Sequence, residues 1–260
     1  MDAGRLIDAY LAHEAAAGHS PATLRLHRYW LGRLLSAYPD VVAVSGSDLV
    51  GWVTGHSWSR NTLKSVRSTL CGFYGWALDV GVVGVNPAAA LPVVRAVAGV
   101  PHPAGEDVFT AALGRAGARD ALMLALAGYC GLRRGEIARL RGEDVTDGGL
   151  IVRGKGGRDR LVPLPAAVRA ALAGCPAGWV FPGRFDGHMH VDAVGKAMRR
   201  ALGFASSAHA LRHRFATRAY AGTHDLLAVQ RLLGHASPAT TQVYVAVSDD
   251  ALRAAVAAAA

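Results

Sequence analysis

The stretch Ala208-His209-Ala210-Leu211-Arg212-His213-Arg214-Phe215-Ala216-Thr217 concentrates the chemistry of this chain. Its spacing predicts a helix over residues 208–221, in which Leu211, Phe215 and Ala219 form an apolar stripe. His209 and Arg212, three residues apart, share the face beside that stripe. A second helix, Asp225 to Leu233, stops at Gly234, which turns the chain and presents His235. Tyr244 follows in a short helical run from Thr240 to Val245. Cations to grip non-bridging oxygens, a hydroxyl nucleophile and groups that carry protons are what metal-free phosphodiester chemistry needs. Taken singly, each residue also reads as ordinary: a structural histidine, a surface arginine, a half-buried core tyrosine.

Upstream, Val108 to Gly128 reads as helix, and Arg133 to Leu140 continues or restarts it. Arg133 stands at a helix start after Gly131-Leu132, with Glu136 three residues on to orient it. The period then falls from about 3.6 to 2. Leu150 to Arg153 and Arg160 to Leu164 read as two strands joined by the glycine-rich turn Gly154-Lys155-Gly156-Gly157-Arg158. Pro163 marks the second strand as an edge. Lys155 at the tip is an exposed platform for a proton donor, and the turn lacks the spacing of a nucleotide-binding loop. Further helices are expected at Ala166–Ala173 and Val191–Leu202.

The first hundred residues read as helices alone. Leu6, Ile7, Tyr10 and Leu11 keep one face, and Ser20-Pro21 caps and opens a second helix. A short third run follows Ser45-Gly46-Ser47, and a fourth carries Leu63, Val66, Leu70, Phe73, Tyr74 and Ala77 as a core-facing stripe. Arg60, Lys64 and Arg67 lie on another face of the fourth, and Arg25 and Arg28 on the second; such faces suit a phosphate backbone and also suit plain solvent. Prolines and glycines then break all periodicity, which places a linker at residues 96–103 between a helical domain, 1–95, and a second domain, 104–260.

Composition narrows the partner. The 260 residues hold 28 Lys and Arg against 19 Asp and Glu, a net charge of +9, and most of the excess lies beyond residue 100. No acid occurs between Asp192 and Asp225, where Lys196, Arg199, Arg200, Arg212, Arg214 and Arg218 fall. A polyanion suits that distribution. With 52% apolar residues the chain can build a core rather than stay disordered. The first residues show no cationic stretch leading into an apolar one, so no export is expected; no apolar run is long enough to span a bilayer, and a reducing cytoplasm suits the scattered Cys71, Cys130 and Cys175. His188 and His190 lack partners at ligand spacing, so neither metal nor cofactor is expected.

Taken together, these motifs resemble the tyrosine recombinases, or phage integrases. The first family box is similar to Gly131-Leu132-Arg133-Arg134-Gly135-Glu136-Ile137-Ala138-Arg139-Leu140, and the family hairpin to residues 154–164. The second box is similar to residues 208–217 together with Val229-Gln230-Arg231-Leu232-Leu233-Gly234-His235-Ala236-Ser237 and Thr240-Thr241-Gln242-Val243-Tyr244. Ser59 to Ala77 resembles the last helix of the family's core-site-binding domain, so the likeness spans nearly the whole chain.

The resemblance implies a mainly α protein: an amino-terminal SAM-like bundle and a mainly helical catalytic domain with a small antiparallel hairpin or sheet. It implies that Tyr244 attacks the scissile phosphate to leave a 3′-phosphotyrosine, and that Arg133 and Arg212 hold the non-bridging oxygens. His209 would then serve as base or orienting group, His235 donate to the phosphate, Lys155 protonate the leaving 5′-oxygen, and Glu136 support Arg133. Arg25, Arg28, Arg60, Lys64, Arg67, Arg158 and Arg214 are expected on duplex DNA bearing core-type sites. A homo-tetramer on synapsed DNA, a monomer or weak oligomer when free, and a directionality factor are the implied partners, with no membrane. No arm-binding domain is expected, so the target sites should be short. Integration of a phage or mobile element is the leading role. A Xer-type chromosome-dimer resolvase, a non-catalytic DNA-binding remnant and a type IB topoisomerase are the rivals.

Overall fold

The computed structural model describes residues 2–94, 102–154, 159–234 and 257. The chain divides into two compact units, residues 1–97 and 98–260.

The first unit is built from α1 (Ala3–Ala16), α2 (Pro21–Ala37), α3 (Gly46–Thr54) and α4 (Arg60–Asp79), followed by a 3-10 turn, Pro87–Ala90. Each of the last three helices begins where a serine hydroxyl can take an orphan backbone N–H. Ser20 accepts from the Thr23 N–H with Pro21 at the first helical position, Ser45 and Asp48 close a capping box, and Ser59 accepts from Thr62. Leu6, Ile7, Tyr10 and Leu11 of α1 pack with Trp30, Leu31 and Leu34 of α2 and with Val66, Leu70, Phe73 and Tyr74 of α4. Burying this apolar set is what stabilises helices whose outer faces are polar. Arg25, Arg28, Arg60 and Lys64 are exposed. Arg28 pairs at the surface with Asp8 at 2.7 Å, and half-buried Arg67 donates from Nε to the Leu91 carbonyl, tying α4 to the chain after the 3-10 turn.

In the second unit α5 (Glu106–Arg115), α6 (Ala118–Cys130) and α7 (Arg134–Ala138) lead into a three-stranded antiparallel sheet of β1 (Val145–Thr146), β2 (Gly149–Val152) and β3 (Arg160–Val162), ordered β1-β2-β3. Leu150 pairs with Val162, and β3 is the edge that Pro163 implied. Then come α8 (Ala166–Leu172), β4 (Pro182–Phe185), α9 (Val191–Ala201), α10 (Ala208–Thr223) and α11 (Leu226–Leu233). Met123, Leu124, Leu126, Ala127 and Cys130 make α6 the central helix, and α10 packs along it. A mainly helical chain with a small sheet is therefore what the sequence builds.

The expected single helix from Val108 to Gly128 is instead two. Ala116 is extended, with ψ of 141°, and Gly117 caps the next helix, so α5 and α6 present their apolar faces from different directions. The apolar spacing runs through this break and conceals it. The expected helix at Thr240–Val245 and most of the alanine-rich tail lie outside the described residues.

The end of α6 sets the site that follows. Gly131 adopts φ of +68°, and a Cβ there would lie 2.4 Å from Cδ1 of Phe215 on α10. Only glycine allows both the left-handed turn and this close approach. Gly131→Ala should lower the stability of the second unit by about 2–4 kcal/mol in urea denaturation. An unchanged midpoint would show that the turn and Phe215 relax without cost.

Candidate active site

After Gly131 the chain buries Leu132 and exposes Arg133 at the cap of α7. Glu136, one turn on, reaches back: Oε2 accepts from the Arg133 backbone N–H at 2.8 Å and Oε1 from Arg133 Nη1 at 2.9 Å. The same carboxylate is gripped from β3, where Arg160 Nη1 and Nη2 donate to Oε1 and Oε2, each at 2.9 Å. Arg212 Nη1, from α10, stands 3.9 Å from Oε2. Both Glu136 (7% exposed) and Arg160 (9%) are buried, and Arg212 is 2% exposed. Burial alone would push the Glu136 carboxyl up. Hydrogen bonds from Arg160 and from the Arg133 backbone, with the charges of both arginines, outweigh it and hold the group below its ordinary value.

These guanidinium groups converge a second time, on the end of α11. Arg160 Nε donates to the Leu232 carbonyl at 2.7 Å, Arg212 Nη2 to that of Leu233, and Arg133 Nη2 to that of Gly234 at 3.4 Å. Arg212 Nη1 also donates to the Gly131 carbonyl. Three successive carbonyls at a helix C-terminus, the negative end of its dipole, thus receive cations from three different elements. Gly234 leaves the helix in the left-handed conformation, φ +61°.

His209 stands in the first turn of α10 with its ring edge-on to His213, centroids 4.3 Å apart. Partial desolvation, then the charges of Arg212 and Arg133, press the His209 imidazole below its ordinary value. That shift favours the neutral imidazole, the form able to accept a proton. Desolvation, with His209, Arg212 and His102 nearby, pushes His213 down further, to about 4.

Arg133, Glu136, His209 and Arg212, which lie far apart in sequence, thus come together. Lys155, Arg158, His235 and Tyr244 lie outside the described residues. The ends of the loop that carries Lys155 and Arg158 are tied by the Gly154 N–H donating to Asp159 at 3.2 Å. Sequence reasoning missed Arg160. Its signal was parity, since Arg160 and Val162 share the inward side of β3 while Leu161 faces out, and an inward arginine needs a buried anion.

Arg214, expected on DNA, is a correction. Its guanidinium is 6% exposed, donates to both oxygens of Glu106 and to the Gly128 carbonyl, and lies 4.2 Å over the Phe109 ring. Glu106 on α5 supplies the countercharge and Phe109 the flat surface, so Arg214 braces α10 against α5 and α6.

A buried carboxylate thus gathers arginines from a helix start, a hairpin strand and a second helix in a mainly helical domain. The phage integrase family model matches residues 107–251. The tyrosine recombinase XerC of Xylella fastidiosa (strain 9a5c) is 34% identical over 268 residues, covering 92% of this chain and 91% of that protein. XerC of Methylobacterium sp. (strain 4-46) is 36% identical over 273 residues, with 92% and 79% covered. Among solved structures, the integrase from mycobacterium phage Brujita is 27% identical with a TM-score of 0.51, covering 95% of this chain and 89% of that one. A lambda integrase (75-356) dimer bound to a COC′ core site shares the fold at a TM-score of 0.74 and 20% identity, with 92% and 96% covered. The chain belongs to the phage integrase family. It is a tyrosine recombinase, an enzyme of DNA strand cleavage and rejoining.

His213 gives a pH signature. Its folded-state value of about 4 lies below the ordinary 6.5, so as pH falls the unfolded chain takes the proton first. Its contribution to stability is complete above pH 6.5 and is lost progressively toward about pH 4. His213→Leu should flatten that part of the stability profile in denaturant titrations from pH 7 to 4. An identical slope in wild type and variant would refute the assignment.

Proposed function

We propose that this chain is a site-specific recombinase of the Xer kind, acting on short core-type sites in duplex DNA. Tyr244 Oη attacks the scissile phosphorus, its proton passing to His209, and the bond to the 5′-oxygen breaks. Lys155 gives that oxygen a proton, leaving a 3′-phosphotyrosine and a free 5′-hydroxyl. Arg133 and Arg212 hold the non-bridging oxygens as charge builds on them, which permanently charged planar groups do well, and His235 donates a hydrogen bond to a phosphate oxygen. A second attack by a 5′-hydroxyl reverses these steps on a new partner strand.

The observation that carries this reading is the convergence of Arg133 and Arg212 on Glu136, with His209 in the first turn of the helix that carries Arg212. The near full-length match to XerC favours resolution of joined DNA circles over the element integration that the sequence first suggested. The likeness to the Brujita phage integrase keeps integration as the second reading. Arg25, Arg28, Arg60, Lys64, Arg67 and Arg158 are proposed phosphate contacts, and four copies on two synapsed duplexes the working assembly. A cytoplasmic location follows from the proposed substrate, and no helix among the described residues is long and apolar enough to cross a membrane. A directionality factor would be needed only under the integration reading.

Covalent trapping tests the chemistry. With nicked duplex carrying the bound core site, in EDTA, wild type should give a protein–DNA adduct on a denaturing gel that Tyr244→Phe abolishes. Tight, site-specific binding with no adduct from wild type would instead make the chain a DNA-binding remnant. A plasmid carrying two directly repeated sites separates the roles: resolution into circles without an added factor supports the Xer kind, and a strict need for two unlike sites supports integration.

A further inference from the structure

We infer that Arg160 is a positioning residue for strand cleavage: it occupies Glu136 so that Arg133 and Arg212 stay available to the phosphate. This rests on the recombinase reading above. Glu136 Oε1 accepts from Arg133 Nη1 and Arg160 Nη1, and Oε2 from the Arg133 backbone N–H and Arg160 Nη2. Arg160 therefore supplies one hydrogen bond to each oxygen. Removing it would leave a buried, ionised carboxylate with two unfilled acceptor positions, a costly state that the nearest cations relieve.

Those cations are the two arginines assigned to the substrate. Arg133, whose side chain is 44% exposed, already donates to Oε1, and Arg212 Nη1 stands 3.9 Å from Oε2, a distance that a small rotation turns into a full ion pair. Either movement draws positive charge inward, away from an incoming phosphate. Arg160 also fixes the landmarks of the site, since it is rooted in β3, beyond the loop that carries Lys155, and its Nε holds the Leu232 carbonyl at the end of α11. Its Nε, Nη1 and Nη2 all donate to the Leu232 carbonyl and to Glu136, so it acts through its neighbours.

Arg160→Met, Glu136→Gln and the double variant are to be compared in single-turnover adduct formation on the nicked site, with duplex affinity and thermal melting measured alongside. The Arg160→Met variant should cleave about 100-fold more slowly while binding duplex as wild type does. Adding Glu136→Gln should recover about 10-fold of that loss, because the neutral amide no longer captures Arg133 and Arg212. A merely structural arginine would give the opposite, a double variant slower than either single one, and that result overturns the inference. Should Arg160→Met fail to fold, Arg160→Lys serves. It keeps the charge but loses the planar fork, so slow cleavage with normal affinity is expected and a wild-type rate overturns the inference. If wild type itself gives no adduct, the recombinase reading falls, and this inference with it.

Discussion

A single buried carboxylate organises the catalytic half of this molecule. Glu136 sits where a helix start, a hairpin strand and a long helix meet, and each brings an arginine to it. An ionised carboxylate with 7% exposure is unfavourable unless its hydrogen-bonding positions are filled, and breaking one such pair typically costs about 3–5 kcal/mol. The same guanidinium groups then supply what the end of α11 lacks, donors for the carbonyls of residues 232–234. Two separate needs, a buried negative charge and the carbonyls of residues 232–234 at the end of α11, are met by one set of cations. Rigidity follows, because none of the four elements can shift without leaving a polar group unpaired.

That economy also explains the charge pattern. Arginines gathered this closely would repel one another if left bare, and Glu136 offsets part of that repulsion while the cluster keeps a net positive charge. Arg214 meets the same requirement with a different partner, using Glu106 and the Phe109 ring to hold α10 from its other side. The basic run between Asp192 and Asp225 is therefore not one continuous surface. Arg212 and Arg214 are interior, whereas Arg199, Arg200 and Arg218 are exposed and open to solvent or to DNA.

Much of this was legible in the residues themselves. A serine cap marked α2, an apolar stripe marked α4, alternation around a glycine-rich turn marked β2 and β3, and the three-residue spacing of His209 and Arg212 put both on α10. Other features were hidden for physical reasons. The break at Ala116-Gly117 leaves the apolar period intact, and β1 is two residues long, too short to show any period. Arg160 and Arg214 are long cations whose burial depends on partners distant in sequence, Glu136 and Glu106, and beyond the strand parity of Arg160 nothing local distinguishes them from surface arginines. Family motifs named the candidate reacting groups, while the pairings of Arg160 with Glu136 and of Arg214 with Glu106 became visible only with tertiary contacts.

The most direct test is the ionisation of Glu136 itself. Carbon-13 labelling of the glutamate side chains, with Glu136→Gln to assign the resonance, allows its carboxyl to be titrated in the folded protein. If Arg160 and Arg133 hold it as described, the resonance titrates below the ordinary carboxylate value of 4.5. A midpoint at or above 4.5 would mean that burial outweighs the arginines, and that the carboxylate does not organise the site.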